Sequence, residues 1–368
     1  MTARPKTIAL LPGDGIGPEV THAAVQLLTD CASAFDHQFV FREYPFGGNA
    51  IDACGTPLPP ETLAGCRASD AVLLGAIGGP RWESLPFGTR PEAGLLGIRK
   101  ELGLYINLRP IRLRPALRNI SPLRAERLGE SDFEIVRELA GDIYFGEHKL
   151  SKEKASDLAE YSVAEIERVA RYAFERARSR KGHLTSVDKA NVLASSTLWR
   201  NTVTALAHEY PDVTVDHQYV DNASMQILLK PAQFDVIVTG NMFGDILSDE
   251  AAALAGSIGL IPSLSRGRKD QPALYEPIHG SAPTLAGKDV ACPLGAIFSA
   301  TLMLRESFGL EAESRWIEAA VDRILAEGYR TADIAEPGSH TVRRSEFTEK
   351  IRAELHSASA QTAARGPR

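Results

Sequence analysis

The segment FDVIVTG (residues 234–240) narrows the fold more than any other: a short β-branched run, closed by glycine, passes at once into a helical pattern over residues 244–255. A strand this apolar must be covered on both faces, the situation of a parallel sheet flanked by helices. The theme recurs. Residues 7–11 form an apolar run that ends in the turn PGDGIGP (12–18), and a helical pattern follows over 19–31 with Val20, Ala24, Leu27 and Leu28 on one face. Residues 70–79 read as another fully buried strand stopped by two glycines, and 37–44, 133–137, 183–188 and 213–220 read as further strands. Helical patterns cover 162–180, 201–210, 295–306 and 311–327. With no internal repeat and no long linker, the 368 residues predict two interleaved α/β lobes. The Ala-, Ser- and Gln-rich residues 356–368 predict a frayed, flexible tail.

Charge removes several function classes. Lys and Arg number 41 against 47 Asp and Glu, a net charge of −6, which lacks the basic footprint of a nucleic-acid binder. The local basic cluster Arg176, Arg178, Arg180, Lys181 follows acidic residues at helical spacing and reads as a solvated helix face. Four cysteines, Cys31, Cys54, Cys66 and Cys292, show no zinc spacing and fit a reduced compartment. The N-terminus has no signal-peptide pattern, and the apolar stretches 70–79 and 251–262 are far short of a membrane span. These features predict a soluble cytoplasmic protein with neither a nucleic-acid nor a membrane partner.

Four constellations could carry chemistry. The turn at Gly13, Gly15 and Gly17 is GxGxG rather than GxGxxG and has no ribose-binding acid about 20 residues on, so the Rossmann fingerprint is not met. Asp245 and Asp249, four apart after a buried strand, project from one helix face, where two carboxylates can share a hard cation such as Mg²⁺ or Mn²⁺. The same pair would also complement a helix N-terminus. Lys189 follows the strand at 183–188 and suits a proton-accepting role beside a metal, although taken alone a surface pairing with Asp188 is the more ordinary reading. Arg99, Arg109 and Arg137 offer forks for carboxylates, and the loop from His279 to Pro283 offers backbone N–H groups for a diphosphate.

Together, LLPGDGIGPEV, GLLGIRKELGLYINLRP, IVRELAGDIYFGE, SVDKANVL, FDVIVTGNMFGDILSDEAAALAGSIGLIPS and YEPIHGSAP closely resemble, in order, the β-hydroxyacid oxidative decarboxylases of the isocitrate/isopropylmalate dehydrogenase family, from Ile8 to about Ile351. The resemblance implies a two-domain α/β fold distinct from the Rossmann type. One domain would combine residues 1–104 with 257–355, and residues 105–256 would form a dimerising domain that carries substrate and metal ligands. It implies NAD and Mg²⁺ or Mn²⁺ as cofactors, and a homodimer with shared active sites. Arg99, Arg109 and Arg137 would clamp the malate carboxylates. Asp245 and Asp249 from one subunit, with Asp221 from the other, would hold the metal on the substrate. Lys189, donated across the dimer, would take the hydroxyl proton, and Tyr144 would protonate the carbon left by CO₂. NAD would lie against Ile16, Gly78, Gly79, Glu92, His279, Gly280, Ser281, Ala282, Pro283 and Thr284, with Asn191 approaching across the dimer from the other subunit.

The implied reaction is NAD-dependent oxidative decarboxylation of 3-isopropylmalate to 4-methyl-2-oxopentanoate and CO₂ in leucine biosynthesis. The alternatives are the same chemistry on another 3-alkylmalate, tartrate or D-malate, and a non-catalytic family subunit. Leu95 and Leu96 suit an alkyl group, whose burial contributes about 0.8 kcal/mol per CH₂. The sequence departs from the family pattern where Thr284 replaces the ribose-binding Asp and Cys292 an adenine-contacting Asn. Weaker ribose binding is the expected consequence.

Overall fold

The computed structural model describes residues 4–364, with side chains as far as residue 357. It divides into two compact units. The first comprises the chain up to Leu102, the segment Arg114–Ile120, and the chain from Ser257 onward; the second comprises Gly103–Leu113 and Ser121–Gly256. The short Arg114–Ile120 segment thus joins the first unit, although the sequence assigned it to the second.

In the first unit the strands Phe39–Glu43, Lys6–Gly13, Ala71–Ala76, Ala273–Pro277 and Pro262–Arg266 are neighbours in that order. All pairings are parallel except the last, in which Pro262 faces Pro277 and Ser265 faces Leu274. Every residue of Ala71–Ala76 is buried, as its unbroken apolar run requires. The helix Leu294–Glu306 is buried along almost its whole length, between helices Gly17–Phe35 and Glu311–Ala326. That explains why its sequence is apolar on all sides rather than along one stripe. The final helix runs Arg344–Ala364, past residue 356 where the sequence predicted the frayed tail to begin; residues 365–368 lie outside the described residues.

In the second unit the order is Ile106–Arg112, Asp132–Glu138, Val236–Thr239, His183–Asp188 and Thr214–Tyr219. The first pair is antiparallel and the others parallel. The helix Val163–Arg178 opens with a capping box, in which Ser162 and Glu165 satisfy each other's backbone N–H. Its buried stripe of Ile166, Val169, Ala170, Ala173 and Phe174 keeps helical spacing. Two helices, Val220–Leu229 and Asn241–Ala253, pack against each other.

The basic cluster at 176–181 is only partly a solvated face. Arg176 forms an ion pair with the buried Glu134, and Arg180 bridges Asp132, Glu134 and Asp235. The pairs join the helix end to strand ends that carry buried acids, which would be costly to leave unpaired. Arg178 does stay at the surface, with Asp212.

The four cysteines are unpaired, and burial pushes the Cys31 and Cys66 thiols up to about 12. Among the described residues no helix is long and apolar enough to cross a membrane.

Candidate active site

The second unit gathers three of the predicted residues, Arg109, Arg137 and Tyr144, around the carboxylate of Asp245. The helix Asn241–Ala253 starts directly after the buried strand Val236–Thr239, so Asp245 and Asp249 lie at the strand's carboxyl end, where open α/β sheets bind ligands. Asp245 Oδ1 accepts from Arg137 Nη1 and, at 3.4 Å, from Arg109 Nη2, while Oδ2 accepts from the Tyr144 hydroxyl at 2.5 Å. Asp249 Oδ1 accepts from Arg109 Nη1 at 2.7 Å. Arg109 and Arg137 come from adjacent strands and are only 7% and 2% exposed, so their guanidiniums are fixed donors rather than surface charges. Arg137 also lies over the Tyr144 ring, 5.2 Å from its centroid. Gly244 makes room for this, since a Cβ there would come within 2.7 Å of the Arg137 stem.

Burial, reinforced by the bond to Asp245, holds the Tyr144 phenol above its ordinary value, so it keeps its proton and can donate it. Lys189 Nζ lies 2.5 Å from Asp221 Oδ1, and that ion pair holds the Asp221 carboxyl below its usual range. Lys189 is therefore not paired with Asp188, which instead takes both forks of Arg200. Asn191 and Val192 stand exposed just beyond it.

The donor set suits a hard divalent ion. One guanidinium, that of Arg109, spans both Asp245 and Asp249, so the two carboxylates are close enough to share a single positive charge. Both are oxygen-only ligands and at least a third exposed. Among the described residues no three acidic, His or Cys side chains of this chain converge as a complete metal cage. Asp221, the third predicted ligand, is held by Lys189 instead.

The first unit builds a cradle from the turns predicted to meet the cofactor. Ile16 N donates to Ser281 O at 2.8 Å, and Ser281 Oγ donates to Gly78 O at 2.7 Å. Buried Asp14 knots the same turns together by accepting from the N–H groups of Gly48, Asn49 and Gly78. Gly15 is required here: its φ is +58°, and a Cβ would sit 2.0 Å from Ser281 O. The Glu92 carboxylate borders Gly78, and Pro283 borders Gly79. Gly280, Pro283 and Thr284 are exposed, and Ala282 takes a left-handed φ of 38°. Cys292 is buried and packs beside Gly259.

His279 supplies the test of fit for a ligand in this cradle. Burial lowers its pKa, so the ring is neutral, and Nδ1 donates to Gly280 O at 2.9 Å. Nε2 is then a bare acceptor, buried and without a partner among the described residues. It can accept from an amide or hydroxyl of a nucleotide.

The same burial makes a pH prediction. Between the ordinary value of 6.5 and the lower folded value, the unfolded chain binds a proton that the folded ring refuses. Stability is therefore full above about 6.5 and falls as pH drops below it, with a slope of up to about 1.4 kcal/mol per pH unit from this ring. Denaturant melts at pH 7.5 and 5.5 should show a smaller pH difference for His279→Gln than for the parent. An equal difference would contradict the assignment.

Arg99, on the helix Pro91–Glu101, pairs with Glu276 at 3.0 Å, both nearly buried, and its Nε has no partner among the described residues. Leu95 and Leu96 on that helix are half-buried. A family model described as isocitrate/isopropylmalate dehydrogenase matches residues 7–351.

The chain belongs to that family.

Its relatives include a 3-isopropylmalate dehydrogenase of Bacillus licheniformis, 53% identical over 356 residues (95% of this chain and 96% of the relative). Another, from Moorella thermoacetica, is 55% identical over 353 residues, covering 95% of this chain and 98% of the relative. Among solved structures, an isocitrate dehydrogenase from Methylococcus capsulatus superposes with a TM-score of 0.85 at 33% identity, covering 95% of this chain and 99% of that one. A β-decarboxylating dehydrogenase from Thermococcus kodakarensis gives 0.79 at 38% identity, covering 96% of each chain.

As a family member the chain is a metal-dependent, NAD-linked decarboxylating dehydrogenase of the mixed α/β type predicted, not a Rossmann protein. Sequence reasoning missed Glu276, Asp14 and the group around Glu138 and Tyr161. Glu276, Asp14 and Tyr161 meet partners distant in sequence, and Glu138 meets the backbone of its own turn, so no side-chain spacing marks any of them.

Proposed function

We propose that this family member oxidises and decarboxylates 3-isopropylmalate to 4-methyl-2-oxopentanoate and CO₂, with NAD as hydride acceptor, in leucine biosynthesis in the cytoplasm. The observation that carries it is the convergence of Arg109, Arg137 and Tyr144 on Asp245: two fixed cations for carboxylates, a protonated phenol, and an acid at one point. Curated relatives with this name at 51–55% identity, among them the two above, support the substrate.

In this reading Arg99, Arg109 and Arg137 bind the two malate carboxylates and orient C2–H for hydride departure. Lys189, as the neutral amine once its ion pair with Asp221 is released, takes the hydroxyl proton on Nζ as the hydride passes to NAD, giving the 3-carboxy-2-keto acid. Asp245 and Asp249, with Asp221 from a second subunit, hold Mg²⁺ or Mn²⁺, which when bound supplies Lewis-acid polarisation of the substrate oxygens. Once CO₂ departs, the Tyr144 hydroxyl gives its proton to the carbon it left. Leu95 and Leu96 accept the isopropyl group and disfavour a third carboxylate, which would be desolvated against them. Ile16, Gly78, Gly79, Glu92, Asn191 and residues 279–284 form the NAD contacts, with Thr284 in place of a ribose-binding acid. Comparing kcat/KM for 3-isopropylmalate, D-malate and tartrate tests the substrate. The first is expected to lead by at least about tenfold, since the isopropyl group adds buried apolar surface. A lead for either of the others would reassign the pocket.

A homodimer completes the site in this reading. Exposed Met225, Leu228 and Leu229 on one helix, and Ile246 on the helix packed against it, offer an apolar surface. Leu229→Glu combined with Ile246→Glu should shift the protein from dimer to monomer in sedimentation and abolish turnover, because Lys189 and Asp221 would act across the interface. A fully active monomer would contradict the shared site.

A further inference from the structure

The helix bearing Asp245 and Asp249 begins at Asn241 with no side chain of its own as cap, because Gly240 occupies the N-cap position. Its first N–H groups would be orphaned there. Two distant residues satisfy them. Asn241 N donates to the Tyr161 hydroxyl at 2.8 Å, and Met242 N donates to Asp142 Oδ2 at 3.0 Å.

Burial, with the negative charges of Glu138 and Asp142 nearby, holds the Tyr161 phenol above its ordinary value, so it stays neutral and its oxygen can accept that bond. Glu138 is fully buried, follows Arg137 on the strand Asp132–Glu138, and also accepts from Ala140 N at 2.9 Å and Gly141 N at 2.8 Å. The circuit closes through Asn241, whose Nδ2 donates to Gly141 O at 3.0 Å and whose Oδ1 accepts from Arg137 Nε at 2.9 Å. The hydroxyl thus holds the backbone of Asn241, the residue whose side chain ties the first turn of the aspartate helix to Arg137 and to the turn leading to Tyr144.

Two glycines admit the tyrosine: a Cβ on Gly141 would come within 2.6 Å of its ring, and one on Gly240 within 3.1 Å of its oxygen. Trp199 meets the ring edge-on at 5.5 Å. Beside them lies a cavity of about 260 Å³, bordered by Tyr161, Trp199, Met242 and Phe243. Packing alone therefore leaves the helix start unsupported on one side, and the hydrogen bonds fix it.

We propose that Tyr161 is a positioning residue, whose hydroxyl sets the start of the aspartate helix and thereby the placement of Asp245 and Arg137. The inference rests on the assignment of Asp245 to a metal- and substrate-binding site.

Tyr161→Phe keeps the ring and removes only the hydroxyl. Three readouts are expected to move together: amide hydrogen exchange at residues 241–245 speeds by about tenfold, as one lost cap bond implies; Mn²⁺ binds roughly fivefold to tenfold more weakly in calorimetric titration without substrate; and KM for 3-isopropylmalate rises by a similar factor while kcat changes less than threefold. Trp199→Phe is the control. It loosens packing on the other side of the ring, so it should lower thermal stability and leave Mn²⁺ affinity and KM unchanged.

Unchanged exchange in Tyr161→Phe would overturn the proposal, and so would faster exchange with unchanged Mn²⁺ affinity and KM, which would make the hydroxyl merely structural. Parent protein that binds no Mn²⁺ would instead count against the metal assignment. In that case local exchange still decides whether Tyr161 sets the helix start.

Discussion

Replacing Lys189 with alanine is expected to lower kcat by about 10²–10⁴-fold, the usual contribution of a positioned acid–base group. The fold should be unaffected, because Lys189 lies just beyond the strand His183–Asp188, is partly exposed, and pairs with the exposed Asp221. Solvent screens an exposed pair of this kind, so it adds little to stability, and loss of activity would not reflect unfolding. Lys189→Arg should fail to restore turnover, since a guanidinium does not give up its proton near neutral pH. Steady-state kinetics on the purified variants, with a denaturant melt alongside, make the comparison. Turnover within about threefold of the parent would remove Lys189 from the proton-transfer role.

Asp245→Asn is expected to have a second large effect, on two properties at once. The carboxylate accepts from Arg109, Arg137 and Tyr144, and an amide can neither neutralise two nearly buried guanidiniums nor hold a divalent ion as tightly. Turnover should fall by more than about 10²-fold, the scale of losing one fixed electrostatic contact in a site. Breaking a fully buried ion pair costs about 3–5 kcal/mol. Asp245 is a third exposed, so solvent screens part of that and about 1–3 kcal/mol is expected. Asp249→Asn should be gentler on stability, since that carboxylate is more than half exposed and accepts from only one of the two arginines. Equal stability and unchanged Mn²⁺ dependence in Asp245→Asn would contradict the site.

The contrast between these residues also shows which parts of the molecule were legible in sequence. The strand at 236–239 and the carboxylate pair four residues apart on the next helix are local features, and helical geometry alone puts the pair on one face. Arg99, Arg109 and Arg137 carry no such mark. Arg109 sits in the strand Ile106–Arg112, which contains Pro110 and three polar or charged residues, so its pattern is not that of a strand. The helix Val220–Leu229 was hidden because Val220 extends the β-branched character of the preceding strand. Its apolar residues split between buried Ala223 and Ile227 and exposed Met225, Leu228 and Leu229, which blurs the helical stripe. The arginines at 176 and 180 looked like solvated charge because their partners Glu134 and Asp235 lie more than 40 residues away. Polar pairs joined only by the fold leave no period to read.

The central claim is oxidative decarboxylation of an alkylmalate, and its most direct test is stoichiometry. Protein supplied with 3-isopropylmalate, NAD and Mn²⁺ should release one NADH and one CO₂ for each substrate consumed. On isocitrate kcat/KM should be lower by on the order of 10³-fold, because a third carboxylate would be buried against Leu95 and Leu96. NADH formed without CO₂, or isocitrate turned over faster than 3-isopropylmalate, would contradict the account.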